Sequence, residues 1–241
     1  EISCSLVGSE MCIRDSATIN SGEILYTYDD GHGQDKTVDL LKLSKKQLRT
    51  EYNGQRLAMV FQDPMASLNP RKKVGDIISE GMDIHHRFAN RQEREEKISE
   101  MLKKVGLSPE HAARYPHQFS GGQRQRISIA RAIAIHPEFL VCDEPTSALD
   151  VSVQAQVLNL MQNLQREVGL TYLFISHNLS VVHHISDRVG VMYLGRLVEL
   201  ADKRTLFNEP RHPYTRMLLD AIPDLSQTHR RRTPISGEVP N

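Results

Sequence analysis

Apolar residues recur at helical spacing in the middle of the chain. Over residues 91–105 they fall at i, i+3, i+4 and i+7, which predicts a helix that ends at Gly106. A second, shorter helix is predicted to start at Ser108-Pro109, because proline is favourable at the first helical position. A third helix is predicted from Ser120 to about His136. The buried face of the first of these helices is expected to consist of Ile98, Met101, Leu102 and Val105.

Elsewhere, apolar runs of strand length alternate with helical patterns. Buried strands are predicted at 57–61, 139–144 and 171–176, and an amphipathic helix is predicted at 153–167. A further helix is predicted in "LSVVHHI", and "VGVMY" and "RLVEL", joined at Leu194-Gly195, predict a hairpin. Buried strands separated by helices are typical of an α/β fold, in which a mainly parallel sheet has helices on both faces. Ligands bind such sheets beyond the carboxyl ends of the strands.

Other segments have weaker patterns. "GEILY", which follows Ser21, predicts a strand, and the polar, glycine-containing stretch Asp29–Lys36 predicts a loop after it. The two prolines and the polar residues of "QDPMASLNP" also predict a loop. The helical stretch near 75–120 is then expected to be an insertion into the sheet.

Composition narrows the class of protein. Lys plus Arg number 30, as do Asp plus Glu, so the formal net charge is zero, which argues against a protein built mainly to hold nucleic acid. No apolar run reaches the roughly 18 residues that a membrane-spanning helix requires. The cysteines Cys4, Cys12 and Cys142 lack the spacing of a disulfide framework or metal cluster, and the apolar run around Cys142 predicts that this residue is buried.

Two adjacent carboxylates end the apolar run "FLVCDE". Because side chains alternate faces along a strand, Asp143 and Glu144 are expected to point different ways. One carboxylate could then hold Mg²⁺ while the other orients a water for attack on a phosphate, as phosphoryl transfer requires. A strand ending in two solvated acids is the alternative, and the following "PTSALD" disfavours it.

The segment "FSGGQRQR" has the spacing of a capping box. Ser120 and Gln123 are three residues apart at the start of a predicted helix. Gly121 and Gly122 would let another backbone approach closely, and the N–H groups of the helix start favour an anion. Helix capping alone is the alternative, although it does not account for the two glycines.

Two single polar residues follow predicted strands. His177 comes directly after "TYLFIS" and could donate a hydrogen bond to a terminal phosphate. Gln62 follows the strand at 57–61, where its amide could reach a metal ion or a water. Either residue alone would be unremarkable at the end of a strand.

Together these segments resemble the ATP-binding subunit of ABC transporters, over about residues 17–241. "FQDPMASLNP" resembles the Q-loop with Gln62 as its glutamine, and "FSGGQ" resembles the signature motif, with Phe119 where the family usually has Leu. "FLVCDE" resembles the Walker B strand, "SALD" the D-loop that ends at Asp150, and His177 the switch histidine. The resemblance implies a P-loop NTPase-type (RecA-like) core with an inserted α-helical subdomain.

The resemblance also implies a mechanism that uses ATP and Mg²⁺. Two ATP-binding subunits, identical or paralogous, would dimerise head to tail around two ATP molecules. Glu144 would be the catalytic base, Asp143 and Gln62 would serve Mg²⁺, and His177 would contact the γ-phosphate. Asp150 would help to couple the two sites. The γ-phosphate held by the opposite subunit would be capped by the signature residues Ser120, Gly121, Gly122 and Gln123.

One motif of the family is absent from the 241 residues. The phosphate-binding loop G-x-x-x-x-G-K-[ST] does not occur, and Lys36-Thr37, preceded by Asp35 and placed in a predicted loop, is rejected as a substitute. The loop would belong just before residue 17. The segment "SLVGSEMCIRDS" resembles translated adaptor or vector sequence, so residues 1–16 are interpreted as non-native and the chain as truncated at this end. The chain's own site is then expected to bind ATP poorly.

The resemblance extends to one branch of the family, the oligopeptide and dipeptide importers. "QDPMASLNP", "EPRHPYTRMLLDAIP" and the ending "PISGEVPN" are similar to that branch. The implied partners are integral membrane permease subunits and, through the complex, a periplasmic or extracellular substrate-binding protein. Nucleic acid is not an implied partner. The implied location is peripheral, at the cytoplasmic face of the cell membrane.

Two alternatives to a peptide-importing ATPase stay open, and a third is rejected. Importers of nickel and of glutathione belong to the same branch, and a fragment without catalysis could still act as a docking and signature-face partner. A DNA-repair or chromosome-associated ATPase would need a long insertion between Gly122 and Asp143, which lie too close for it. The domain boundaries expected are 1–16 (non-native), 17–62 (remnant of the N-terminal catalytic core), 63–136 (helical subdomain), 137–200 (RecA-like core) and 201–241 (C-terminal extension).

Overall fold

The computed structural model describes residues 21–29 and 34–221. The chain divides into two compact units, residues 1–185 and residues 186–241. Within the described ranges, none of the helices combines the length and the apolar character needed to cross a membrane. The expectations for residues 1–16, for Cys4 and Cys12, and for "PISGEVPN" fall outside the described residues.

The first unit begins with a two-stranded antiparallel sheet, strands β1 (Leu25–Asp29) and β2 (Asp35–Asp39). The predicted first strand is confirmed, but the loop predicted for Lys36-Thr37 is wrong. Both residues lie in β2, because cross-strand pairing with Tyr28 and Thr27 decides a segment whose polar composition predicts no strand. Beneath this sheet, Tyr26 and Tyr52 are buried and meet edge to face. A short helix α1 (Lys45–Gln47) and a π-helical turn (Leu48–Tyr52) follow.

A parallel sheet forms the centre of the first unit. Its strands are β3 (Leu57–Val60), β4 (Phe139–Asp143) and β5 (Thr171–Ile175), in the order β3-β4-β5. All three were predicted. In the middle strand, Cys142 is fully buried, as expected, and burial raises the pKa of its thiol. Residues 172–175 of β5 are half-buried rather than buried, because β5 has a neighbour on only one side within the described sheet.

Helices occupy the segment between β3 and β4. They are α2 (Pro64–Ser67), α3 (Val74–Ile84), α4 (Arg91–Lys104), two 3₁₀ turns (Pro109–Ala113 and Pro116–Gln118) and α5 (Gly121–Ile133). The predicted buried face of α4 is confirmed in all four residues. The loop predicted for "QDPMASLNP" is wrong at α2, because the Asp63 carboxylate caps the helix and Pro64 suits its first position. Helix α5 ends before His136, whose positive φ of 54° is not helical.

Two helices complete the first unit, α6 (Val151–Val168) and α7 (Leu179–Ile185). The amphipathic helix predicted at 153–167 is confirmed as α6, which buries Val157, Met161 and Leu164. It ends at Gly169, whose positive φ of 73° allows the left-handed cap.

The second unit starts with the predicted hairpin. Strands β6 (Arg188–Tyr193) and β7 (Arg196–Asp202) pair antiparallel, and Leu194 and Gly195 both have positive φ in the turn between them. Helices α8 (Lys203–Asn208) and α9 (Pro213–Asp220) follow. Helix α9 lies within the segment "EPRHPYTRMLLDAIP", and the His212 ring caps its start by accepting the N–H of Tyr214.

Candidate functional site

Three predicted site residues meet at the carboxyl edge of the parallel sheet. Gln62 follows β3, Glu144 follows β4 and His177 follows β5, so the strand order brings their side chains together. The Gln62 Nε2 atom donates to Glu144 Oε2 at 2.9 Å, and His177 Nδ1 lies 2.7 Å from Glu144 Oε1. Both carboxylate oxygens are therefore engaged, each by a residue from a different strand end. We call these three residues the Glu144 cluster.

The backbone of Glu144 departs from the strand. Its φ is +41°, in the left-handed region that non-glycine residues rarely adopt. The turn is held by three hydrogen bonds: the Glu144 N–H donates to the Ile175 carbonyl, and the Glu144 carbonyl accepts from the N–H and the Oγ of Ser147. The strand was predicted to include Glu144, but it ends at Asp143. The direction of the Glu144 side chain is therefore set by a turn and not by the alternation of a strand.

Asp143 is the last residue of β4, opposite Ile175 of β5, and is half-buried. With Gln62 it supplies oxygen donors from neighbouring strand ends, the kind of ligand that Mg²⁺ prefers. Within the described ranges, His, Cys, Asp and Glu residues form no group of three or more placed to hold a metal ion. The Asp143 carboxylate and the Gln62 amide fit Mg²⁺, which keeps several waters and is bound through one or two protein groups together with phosphate oxygens.

The signature residues form a turn at the start of α5, which we call the Ser120 turn (residues 120–123). The predicted capping box is confirmed: the Gln123 N–H donates to Ser120 Oγ at 3.3 Å, and the Ser120 N–H donates to Gln123 Oε1 at 3.1 Å. Ser120 is exposed, although the helix that follows is mostly buried. The turn therefore presents a helix start to the surface.

The two glycines of the turn have different surroundings. A Cβ atom on Gly122 would lie 2.3 Å from Cγ1 of Val153 in α6, far inside van der Waals contact. On Gly121 a Cβ atom would meet Cδ2 of Leu149 at 3.6 Å, an ordinary contact. Close packing of α5 against α6 thus requires Gly122, a reason internal to the chain that its sequence pattern did not indicate. Gly121 has no such steric requirement.

The segment from 145 to 153 joins the two groups of residues. Thr146 is 3% exposed and its Oγ1 accepts a hydrogen bond from Gln154 Nε2 at 3.0 Å. Asp150 is exposed and occupies the N-cap position of α6, but its side chain makes no capping hydrogen bond. Ser147 and Gln154 are supporting residues that the sequence analysis missed. A serine three residues after the carboxylate, with the tendency of Ser to bond nearby backbone, was the available signal.

The structure thus brings Gln62, Glu144 and His177 into direct contact and places Asp143 beside them. Asp150 lies within the segment 145–153, and the Ser120 turn lies next to that segment at Leu149 and Val153. The hydrogen bonds described above do not link either of them to the Glu144 carboxylate.

The chain matches two known protein families. The family described as "ABC transporter" matches residues 12–147, more than half of the chain. The chain belongs to the ABC transporter family. A second family, "Oligopeptide/dipeptide transporter, C-terminal region", matches residues 198–241.

Individual ABC transporter relatives agree with this membership. The chain is 56% identical over 202 residues to the oligopeptide transport ATP-binding protein OppF of Bacillus subtilis, covering 84% of this chain and 63% of the relative. It is 58% identical over 188 residues to the dipeptide transport ATP-binding protein DppF of Escherichia coli, covering 78% of this chain and 56% of the relative. The chain therefore spans less than two thirds of the length of these relatives.

A solved ABC structure also matches. It is the dimeric ATP-binding cassette MJ0796 in a post-hydrolysis state bound to ADP and Pi, with a TM-score of 0.64 and 27% identity over 77% of this chain and 75% of that one. The predicted fold class, a P-loop NTPase-type α/β core with an inserted helical region, is confirmed.

Proposed function

We propose that this chain is an ATP-binding and ATP-hydrolysing subunit that powers a peptide importer. The observation that carries the proposal is the Glu144 carboxylate, held by Gln62 and His177 at the carboxyl edge of a parallel sheet. A positioned carboxylate among hydrogen-bonding residues is what phosphoryl transfer to water requires, because the protein mainly orients groups and offsets charge. The relatives named as oligopeptide and dipeptide transport proteins support the choice of substrate.

Each residue of the Glu144 cluster has a distinct task in this mechanism. Glu144 Oε1 or Oε2 accepts a proton from the attacking water, because each oxygen has a second lone pair beside the one that Gln62 or His177 occupies. The exposed His177 ring then reaches the terminal phosphate, where an N–H donor stabilises the developing charge. Gln62 is the link between the cluster and the helical region, since only the N-cap residue Asp63 separates it from α2.

Asp143 and Gln62 would hold Mg²⁺ through their side-chain oxygens. The ion, when bound, neutralises charge on the phosphate oxygens. Donation from Gln62 Nε2 to Glu144 leaves the Gln62 amide oxygen as an acceptor for this purpose.

The Ser120 turn acts on a second subunit. Its exposed hydroxyl and helix-start N–H groups would cap the γ-phosphate bound by a partner chain, with Asp150 at the contact between the two sites. The dimeric state of the MJ0796 cassette supports this arrangement. The other partners are permease subunits in the cell membrane and, through them, a substrate-binding protein, which places this chain at the cytoplasmic face. A nickel or glutathione importer is the alternative for the transported substrate.

The 241-residue polypeptide itself should bind ATP weakly at its own site. The sequence contains no G-x-x-x-x-G-K-[ST] segment, whose backbone N–H groups and lysine supply most of the contacts to phosphate in this class. A titration of the purified chain with a fluorescent ATP analogue and Mg²⁺ should show no saturation below millimolar concentrations. Micromolar binding would contradict this account and would mean that other residues hold the phosphates.

A chimera tests the catalytic assignment. The N-terminal segment of a related subunit, through its G-x-x-x-x-G-K-[ST] loop, is joined ahead of residue 17. This chimera should bind and hydrolyse ATP, and Glu144→Gln should lower turnover by about 10²–10⁴-fold without loss of ATP binding. Glu209→Gln, which removes an exposed carboxylate far along the chain, is the control. A chimera that binds ATP but does not turn it over would favour the alternative, a docking and signature-face partner without catalysis.

A further inference from the structure

One cation of the helical region is bound to a backbone carbonyl. Arg131, in the last turn of α5, donates from Nη1 to the carbonyl oxygen of Ser67 at 2.6 Å. The side chain is partly buried. Burial lowers the pKa of the Arg131 guanidinium, and the Glu80 carboxylate nearby opposes that shift. A buried cation bound in this way costs free energy when its acceptor moves away, because its desolvation is then no longer offset.

The acceptor lies at the end of the short helix that follows Gln62. Ser67 is the last residue of α2, and the carbonyls of a last helical turn have no partner within the helix. The start of the same helix is held by Asp63, whose Oδ1 accepts the Met65 N–H at 2.7 Å. The next residue, Leu68, is only 2% exposed and anchors the chain in the core. The segment 62–68 is therefore fixed at its start by Asp63 and at its end by Arg131.

Helix α5 connects this contact to the Ser120 turn. Ser120 caps its first turn and Arg131 lies in its last, so the two residues are about 16 Å apart along one helix. The two ends of α5 therefore touch the two groups of the candidate site. One end carries the Ser120 turn, and the other binds the segment that delivers Gln62 to Glu144.

We propose that Arg131 is a positioning residue that ties the segment 62–68 to α5 and so keeps the Gln62 amide on Glu144. Its meaning for catalysis rests on the function proposed above. The physical link itself does not, since it concerns a contact between α2 and α5 in the chain without nucleotide.

Hydrogen exchange of the 241-residue chain without nucleotide tests the link. Arg131→Met keeps the apolar stem and removes the donor, and the amide hydrogens of residues 63–69 should exchange about tenfold faster. Arg131→Lys can still place an N–H donor near the Ser67 carbonyl and should restore most of the protection. Arg71→Met, which removes an exposed cation next to the same segment, should leave exchange unchanged. Amides of α4 at 98–102 report on global stability.

The outcomes separate positioning from general stabilisation. Faster exchange confined to 63–69, with recovery in the lysine variant, supports the proposal. Equal acceleration at 63–69 and at 98–102, or no acceleration at all, overturns it. If Arg131→Met does not fold, Arg131→Gln takes its place and the same comparison decides. None of these readings uses ATP, so a failure here and a failure of the proposed ATPase function would be distinguished.

Discussion

The Glu144 cluster and the Ser120 turn differ in where their hydrogen bonds go. In the cluster, side chains from three strand ends bond to one another, and both oxygens of the central carboxylate are occupied. In the turn, the two side-chain bonds stay within residues 120–123, and Ser120 remains exposed. Under the proposed function, the cluster would act within one chain, whereas the exposed Ser120 would act on a nucleotide held by a partner chain.

This difference separates two kinds of experiment. A change in the cluster should affect the nucleotide that the same chain binds. A change in the turn should affect a nucleotide bound by the partner. A change in the segment 145–153, which contains buried Thr146 and Val153 beside Gly122, should affect the stability of the chain itself.

The largest effect is expected within the cluster. In the chimera defined above, His177→Ala removes the ring that bonds Glu144 and reaches the phosphate, and turnover should fall by about 10²–10³-fold. Steady-state hydrolysis measures this, and His184→Ala, an exposed histidine in the following helix α7, is the matched control. A fall of equal size in both variants would mean that the His177 contact has no special part in the chemistry.

A smaller effect is expected when the turn is changed in a mixed dimer. The 241-residue chain is paired with a related subunit that carries a complete phosphate-binding loop, so that hydrolysis occurs at the partner's site. Ser120→Ala in this chain should lower that hydrolysis by about 10²-fold, because one donor to the γ-phosphate is lost. Glu144→Gln in this chain should leave the rate within about twofold of the parent dimer, since the carboxylate serves the other site. The reverse order of effects would refute the division between cluster and turn.

The smallest effect is expected where Gly122 packs against Val153. Gly122→Ala places a methyl group against Cγ1 of Val153 and should lower the free energy of unfolding by about 1–3 kcal/mol. Gly121→Ala meets only an ordinary contact and should be neutral or slightly stabilising, as alanine favours the helix. Denaturant titrations compare the two. Combining Gly122→Ala with Val153→Ala should recover part of the loss, and the absence of any recovery would argue against a steric cause.

The sequence was sufficient for elements whose patterns are long and periodic. The buried face of α4 and the three parallel strands follow from apolar spacing alone, and the hairpin follows from Leu194-Gly195. Strand β2 was missed because its residues gain strand structure only by pairing with β1. Helix α2 was missed because a four-residue helix depends on the Asp63 cap more than on any period.

The site residues were predictable by type and position, but not by contact. Carboxylate, amide and imidazole groups after successive strands indicated one sheet edge, and their shared hydrogen bonds follow from the strand order β3-β4-β5. The left-handed backbone of Glu144 could not be predicted, because glutamate has no preference for it. The requirement for Gly122 depends on where Val153 sits in space, which a single sequence does not specify.

The conformation of Glu144 bears on attempts to make this protein more robust. A residue with a side chain costs about 1–2 kcal/mol in the left-handed region, a cost that glycine avoids. A design procedure that ranks substitutions by backbone strain alone would therefore favour glycine at position 144 and delete the carboxylate with its contacts to Gln62 and His177. Under the proposed function, backbone strain and turnover favour different residues at this position, and stabilising libraries should hold it fixed.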